Sequence, residues 1–202
     1  MAGYSKSEAR DWAREKLVGV ANVTVPTMTS DFTALNEKAI RHDVEKAIEH
    51  GFIGSLACSE VNMSMAEYGR LCELMVDQSA GRMITVHHAA FNSLEESIEG
   101  VKLAEAAGAE LVLLCYPPYF YPKSLEDVYT YTKTLCDATN LGVMLFPVPS
   151  WGSSGCTRPT FRCRCCAACS TIAPTSSRSR PRAGCRTSWP RSRCTARFTR
   201  KS

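Results

Sequence analysis

The sequence predicts a parallel α/β fold of repeating strand–helix units: a TIM-type (β/α)8 barrel of which four complete units and a fifth strand are present. Three observations carry that prediction. Five short, largely apolar runs recur at VGVANVTV 18–25, FIGSLA 52–57, MITVHH 83–88, ELVLLC 110–115 and GVMLFPV 142–148. Amphipathic stretches of helical length separate them. Residues suited to start helices stand at 36, 64, 93 and 124, spaced 28, 29 and 31 apart. A strand, a loop and a crossover helix fill such a spacing.

The elements follow in order. Segment 5–16 reads as an extra N-terminal helix. The strand runs show little alternation, as expected where both faces of a parallel sheet are covered. After the first comes VPTMTSDFTALN, which has no glycine. A doubly wound nucleotide fold would place a G-x-G-x-x-G turn there, whereas a barrel needs none. Asn36 caps the next helix, in which Ala39, Ile40, Val44, Ala47 and Ile48 share one face. Ser64 with Glu67 and Ser93 with Glu96 fit the S-x-x-E capping box, and Ser124 with Asp127 is a weaker version. Gly51, Gly81 and Gly108 mark helix ends. His87 and His88 close the third strand. Neighbours on a strand point to opposite faces, so at most one reaches the interior, and a packing or loop-bonding role is expected. Cys72, Cys115 and Cys136 fall on core positions and read as packing, as does the thiol of Cys58, which has no base beside it in sequence.

Composition divides the 202 residues in two. Residues 1–150 hold 12 basic and 20 acidic residues, a net of −8; residues 151–202 hold 12 basic residues and no acid, a net of +12, with seven of the 11 cysteines. The expected domains are therefore 1–150, a partial barrel, and 151–202, a tail with too few large aliphatics to offset its ordering entropy, expected to be disordered. No run of 18 apolar residues occurs and the N-terminus lacks an apolar signal region, so a cytoplasmic protein with no membrane partner is expected. The tail's charge would attract polyanions without specificity, and no specific nucleic-acid partner is expected. Cys163-x-Cys165-Cys166-x-x-Cys169 lacks paired zinc knuckles, and the four histidines, His42, His50, His87 and His88, all lie elsewhere, so neither a metal nor any other cofactor is expected.

Over about residues 17–150 the motifs stand in the order of a known family: VPTMTSDF with Asn36 following, CSEVNMSMAEY, CYPPYFYPKS and LFPVP. In this the chain resembles the dihydrodipicolinate synthase / N-acetylneuraminate lyase family, class I aldolase-type barrels with a Schiff-base lysine. The resemblance implies a lyase acting on a pyruvate-like 2-keto acid and, for intact members, homo-oligomers that are often tetramers. It implies that Cys58 and Ser59 hold the substrate carboxylate, partly through backbone N–H groups, that Glu60 bonds loop N–H groups, and that Tyr119 and Phe146 shape the pocket. The departures are specific. Leu56-Ala57-Cys58-Ser59-Glu60 is one residue shorter than the family's G-T-T-G-E-like turn. Pro118-Tyr119-Phe120-Tyr121 replaces Pro-Tyr-Tyr. Phe146 stands where the family's proton-relay tyrosine would, and a phenyl ring cannot pass a proton. A divergent subfamily is implied.

The resemblance places the lysine on a sixth strand, and no such strand is legible. No in-frame catalytic residue is expected, and Lys123, in a loop after strand four, reads as solvated. The genetic code allows one further reading. With chosen codons, Thr171 to Gly184 shifted by one nucleotide reads D-D-C-P-N-I-V-A-I-K-A-E-G-G, a buried strand ending in lysine. That lysine codon would straddle Ser179 and Arg180. Thr157 to Ser170 reads in the same frame as H-P-A-D-I-P-V-P-L-L-R-R-M-L, an amphipathic helix. A frameshift between about Pro149 and Gly155 is the expectation, and with it a truncated, inactive chain. The reading from another class is a non-catalytic half-barrel interaction module with a basic, cysteine-rich tail.

Overall fold

A computed structural model of the chain describes residues 3–61, 63–117 and 120–146, together with the backbone of Thr171–Ile172. Its elements are α1 (Ala9–Lys16), β1 (Ala21–Thr24), α2 (Glu37–Glu49), β2 (Gly54–Ala57), α3 (Met65–Ser79), β3 (Ile84–Ala89), α4 (Leu94–Ala107), β4 (Leu111–Leu114), α5 (Leu125–Asp137), β5 (Gly142–Leu145) and β6 (Thr171–Ile172). All pairings are parallel and the strands lie side by side in chain order. This is the parallel-sheet α/β architecture of a barrel's first part, each helix returning the chain to the same edge of the sheet.

Local chemistry sets the helix ends. The Asn36 side chain accepts the Ala39 N–H at 3.1 Å, and Ser64 and Glu67 form a complete capping box. At Ser93 only half the box forms, because the Glu96 carboxylate accepts the Asn92 N–H at 3.1 Å instead. The box at Ser124 and Asp127 is complete. Gly108 ends α4 with φ +99°, a left-handed conformation costly for any residue with a Cβ.

Strand parity divides the side chains into two sets. Ala57, Ala89, Val112, Leu114, Val143 and Leu145 point outward to the helices and form the main core with Ile40, Val44, Leu71, Met75, Val101 and Leu135. Leu56, Ile84, Val86, Leu111, Leu113 and Met144 face the interior, where Ala9 and Ala13 of α1 pack on them. The N-terminal segment is tied to the ends of β4 and β5: the Tyr4 hydroxyl bonds the Glu110 carbonyl and accepts the Gly142 N–H, and the Lys6 ammonium donates to the carbonyls of Cys136 and Thr139.

Two expectations change. The first strand is not covered on both faces among the described residues, since Val23 is 52% exposed and Val18, Val20 and Val25 more so. The reason is topological: β1 has β2 on one side and no described strand on the other. The sixth strand expected to be absent is present as a two-residue pairing, Val143 with Thr171 and Met144 with Ile172. The free backbone groups of β5 accept any extended segment, whatever its side chains. The expected disorder of the tail, its cysteines, and the codons of Ser179 and Arg180 otherwise fall outside the described residues. None of the described helices is long and apolar enough to cross a membrane.

Candidate functional site

The C-terminal ends of β2, β3 and β4 bring polar side chains together on the interior face. The turn after β2 folds Ser59 over β3. Its hydroxyl lies 3.2 Å from Nδ1 of His88, and its N–H points at the same nitrogen at 3.5 Å. On the other side of the ring, Nε2 of His88 lies 3.2 Å from Sγ of Cys115, just past β4. Ser59, His88 and Cys115 thus form one buried hydrogen-bonded chain across three strand ends. Burial holds the His88 pKa down to about 4 and pushes the Cys115 thiol up to about 12, so at neutral pH the imidazole is neutral and Cys115 is a thiol.

Cys58 and Glu60 flank Ser59 at the edge of this cluster. Cys58 is half-buried and a free thiol. Burial raises its pKa, the Glu60 N–H directed at its sulfur opposes that, and the nearby Glu60 carboxylate adds to it. Burial also raises the Glu60 carboxyl, though the residue is exposed overall. Among the described residues the Glu60 carboxylate makes no hydrogen bond or ion pair, so its expected bonds to loop N–H groups are not made there. The sulfur of Cys58, a carboxylate oxygen of Glu60 and a ring nitrogen of His88 all lie within 4.8 Å of one another.

His87, the neighbour of His88, points the other way. It is fully buried between β3 and the helices, with Nδ1 2.7 Å from the Tyr68 hydroxyl on α3. The same hydroxyl lies 3.2 Å from the Ala57 carbonyl oxygen and accepts the His88 N–H at 3.3 Å, which joins the ends of β2 and β3. Burial first and His88 second hold the His87 pKa down to about 3. Only one of the two histidines reaches the interior, as parity requires.

The other expected site residues are placed as follows. The N–H of Cys58 is committed to the Thr24 carbonyl at 3.2 Å, continuing the β1–β2 ladder. The Ser59 hydroxyl is the group of that turn aimed into the cluster. Phe146 is 51% exposed at the end of β5. Tyr119 lies outside the described residues, and Tyr121, two residues on, is 71% exposed. Two participants escaped the reading from sequence: His88 as the hub, and Cys115 as more than packing. The signal was parity, because both stand at strand ends in phase with interior residues, His88 with Val86 and Cys115 with Leu113.

Known proteins share this fold. The profile of the dihydrodipicolinate synthetase family matches residues 20–161. The chain belongs to that family. A 4-hydroxy-tetrahydrodipicolinate synthase of Methanopyrus kandleri is 28% identical over 70% of this chain and 47% of its own length. One from Bartonella henselae is 32% identical over 61% of this chain and 43% of its own. The chain thus spans about half the length of the curated relatives it matches. Among solved structures, the chloride-inhibited dihydrodipicolinate synthase of Acinetobacter baumannii, complexed with pyruvate, superposes with a TM-score of 0.60 at 27% identity, over 65% of this chain and 46% of that one. N-acetylneuraminate lyase from Fusobacterium nucleatum, at 18% identity and a TM-score of 0.58, shares the fold.

Proposed function

We propose that the chain carries the first part of a lyase or aldolase acting on a pyruvate-like 2-keto acid through a Schiff base, and that the chain itself is inactive. The observation that carries the first clause is the polar cluster at the strand ends of a barrel-type sheet in a member of this family. The Ser59 hydroxyl would donate to the substrate carboxylate, with Cys58 beside it. Tyr119 and Phe146 would wall the pocket. In such chemistry a neutral lysine amine adds to the keto carbonyl and water leaves, and the protonated imine then takes up an electron pair.

The second clause rests on the lysines. Among the described residues none stands on a strand: the described lysines occupy helices α1, α2, α4 and α5, the N-terminal segment and the loop at Lys123. We propose that the missing lysine lies in the neighbouring reading frame, its codon straddling Ser179 and Arg180 after a frameshift near Pro149 to Gly155. Residues 1–150 are then the partial barrel and residues 151–202 its out-of-frame extension.

Borohydride reduction in the presence of pyruvate tests this. The chain as given is expected to gain no mass, and a stoichiometric pyruvyl adduct would overturn the proposed inactivity. Sequencing the gene and transcript across the codons for Phe146 to Arg158 tests the frame. A frame restored by one nucleotide supports the longer enzyme, and a frame confirmed as printed removes it.

A further inference from the structure

We infer that Cys58, Glu60 and His88 form a zinc(II) site at the mouth of the strands. The three donors come from two strand ends, and their ligating atoms already lie within 4.8 Å of one another. A tetrahedral zinc ion with Zn–S near 2.3 Å and Zn–N and Zn–O near 2.0–2.2 Å needs its donors roughly 3–4 Å apart. One soft thiolate, one imidazole and one carboxylate make a mixed set suited to zinc rather than to magnesium or calcium, which take oxygen donors.

The surroundings favour a cation. The Glu60 carboxylate has no partner among the described residues. The ion pairs of the described residues run along helix surfaces, as between Arg70 and Glu37 or Arg82 and Glu45, and none reaches this mouth. A carboxylate and a thiolate facing each other repel unless a cation lies between them. His88 is neutral and its ring orientation is fixed. If Nδ1 ligates, Nε2 keeps Cys115; if Nε2 ligates, Nδ1 keeps Ser59. A second bonded ring nitrogen of this kind is the usual support of a metal-bound histidine. Three protein donors leave the fourth position open to water or an anion, the pattern of reactive rather than structural zinc.

The site needs no lysine and does not rest on the keto-acid reading. It is tested by metal alone, on the full chain with the seven tail cysteines, from Cys156 to Cys194, replaced by serine. After chelator treatment, cobalt(II) is titrated as a spectroscopic stand-in for zinc, followed by zinc competition. One equivalent is expected to bind, with tetrahedral ligand-field bands and a single thiolate charge-transfer band. C58S should abolish that band, and E60Q should weaken zinc by roughly tenfold or more, both with unchanged far-UV circular dichroism. No stoichiometric binding, or a charge-transfer band that survives C58S, would overturn the site. Should C58S fail to fold, the exposed Glu60→Gln decides: unchanged zinc affinity overturns the proposal, and a loss of tenfold or more upholds it.

Discussion

The two faces of β3 carry the same side chain at adjacent positions and do different things with it. His87 enters the helix side, where Tyr68 meets it edge-on and Phe91 stacks on it, with ring centroids 5.4 and 6.3 Å away. Its Nε2 has no hydrogen-bond partner among the described residues, so the site holds the ring by shape and one bond. His88 enters the interior, where Ser59 and Cys115 engage its two ring nitrogens and Cys58 and Glu60 stand close by. The outer imidazole is a packing piece with one polar tether. The inner one is a junction that a ligand can reorganise. A one-residue step along a strand separates a structural environment from a chemical one.

The largest test of this contrast is acid. Both histidines are depressed in the folded chain, so the unfolded chain binds more protons below pH 6.5, and stability is lost as pH falls from there toward the folded values. His87 alone should remove about 3 kcal/mol between pH 7 and pH 4. Urea unfolding with chelator present measures it, and a midpoint flat across that window would mean that neither ring is sealed.

A smaller effect is expected from Gly100→Ala, which addresses the outer face only. A Cβ there would meet Phe91 Cε2 at 2.5 Å and His87 Cε1 at 3.3 Å. The ring must shift in a closed packing, at a cost of about 1–3 kcal/mol. The cobalt spectrum of the inner face should not change; a changed spectrum would show the two faces to be coupled.

The smallest stability effect belongs to Ser59→Ala, at about 1 kcal/mol or less. Its distinctive readout is the His88 ring, whose Nδ1 loses its hydroxyl partner while Cys115 remains. Nitrogen-15 chemical shifts of the imidazole should move for His88 and stay fixed for His87.

How much of this was legible follows from how local each determinant is. The strands and helix caps were readable because an apolar run, or a serine three residues before an acid, acts within a few residues. Glu96 departed from its box because its carboxylate takes the Asn92 N–H, one residue before the cap. The exposure of Val23 was not readable, since it depends on which strands lie beside β1. The mouth cluster was only half readable. Cys58, Ser59 and Glu60 stood out as a turn, but their meeting with His88 depends on how that turn folds over β3, and Cys115 entered from a third strand. Phe146 was plain in sequence, but its exposure at the end of β5 was not, because that depends on which elements lie beyond the strand.

Strand order has a further consequence, for synthesis. Because β1 to β5 are neighbours in the order in which they are made, each new strand docks on the edge of a sheet that already exists, with the outer edge of β1 left open among the described strands. At 5–20 residues per second a ribosome delivers each unit of about 30 residues in roughly 2–6 s, long compared with the folding of local elements. The growing chain can therefore lay down its sheet one strand at a time. Whatever the message encodes after codon 150, the pairings of β1 to β5 with one another call on nothing made later.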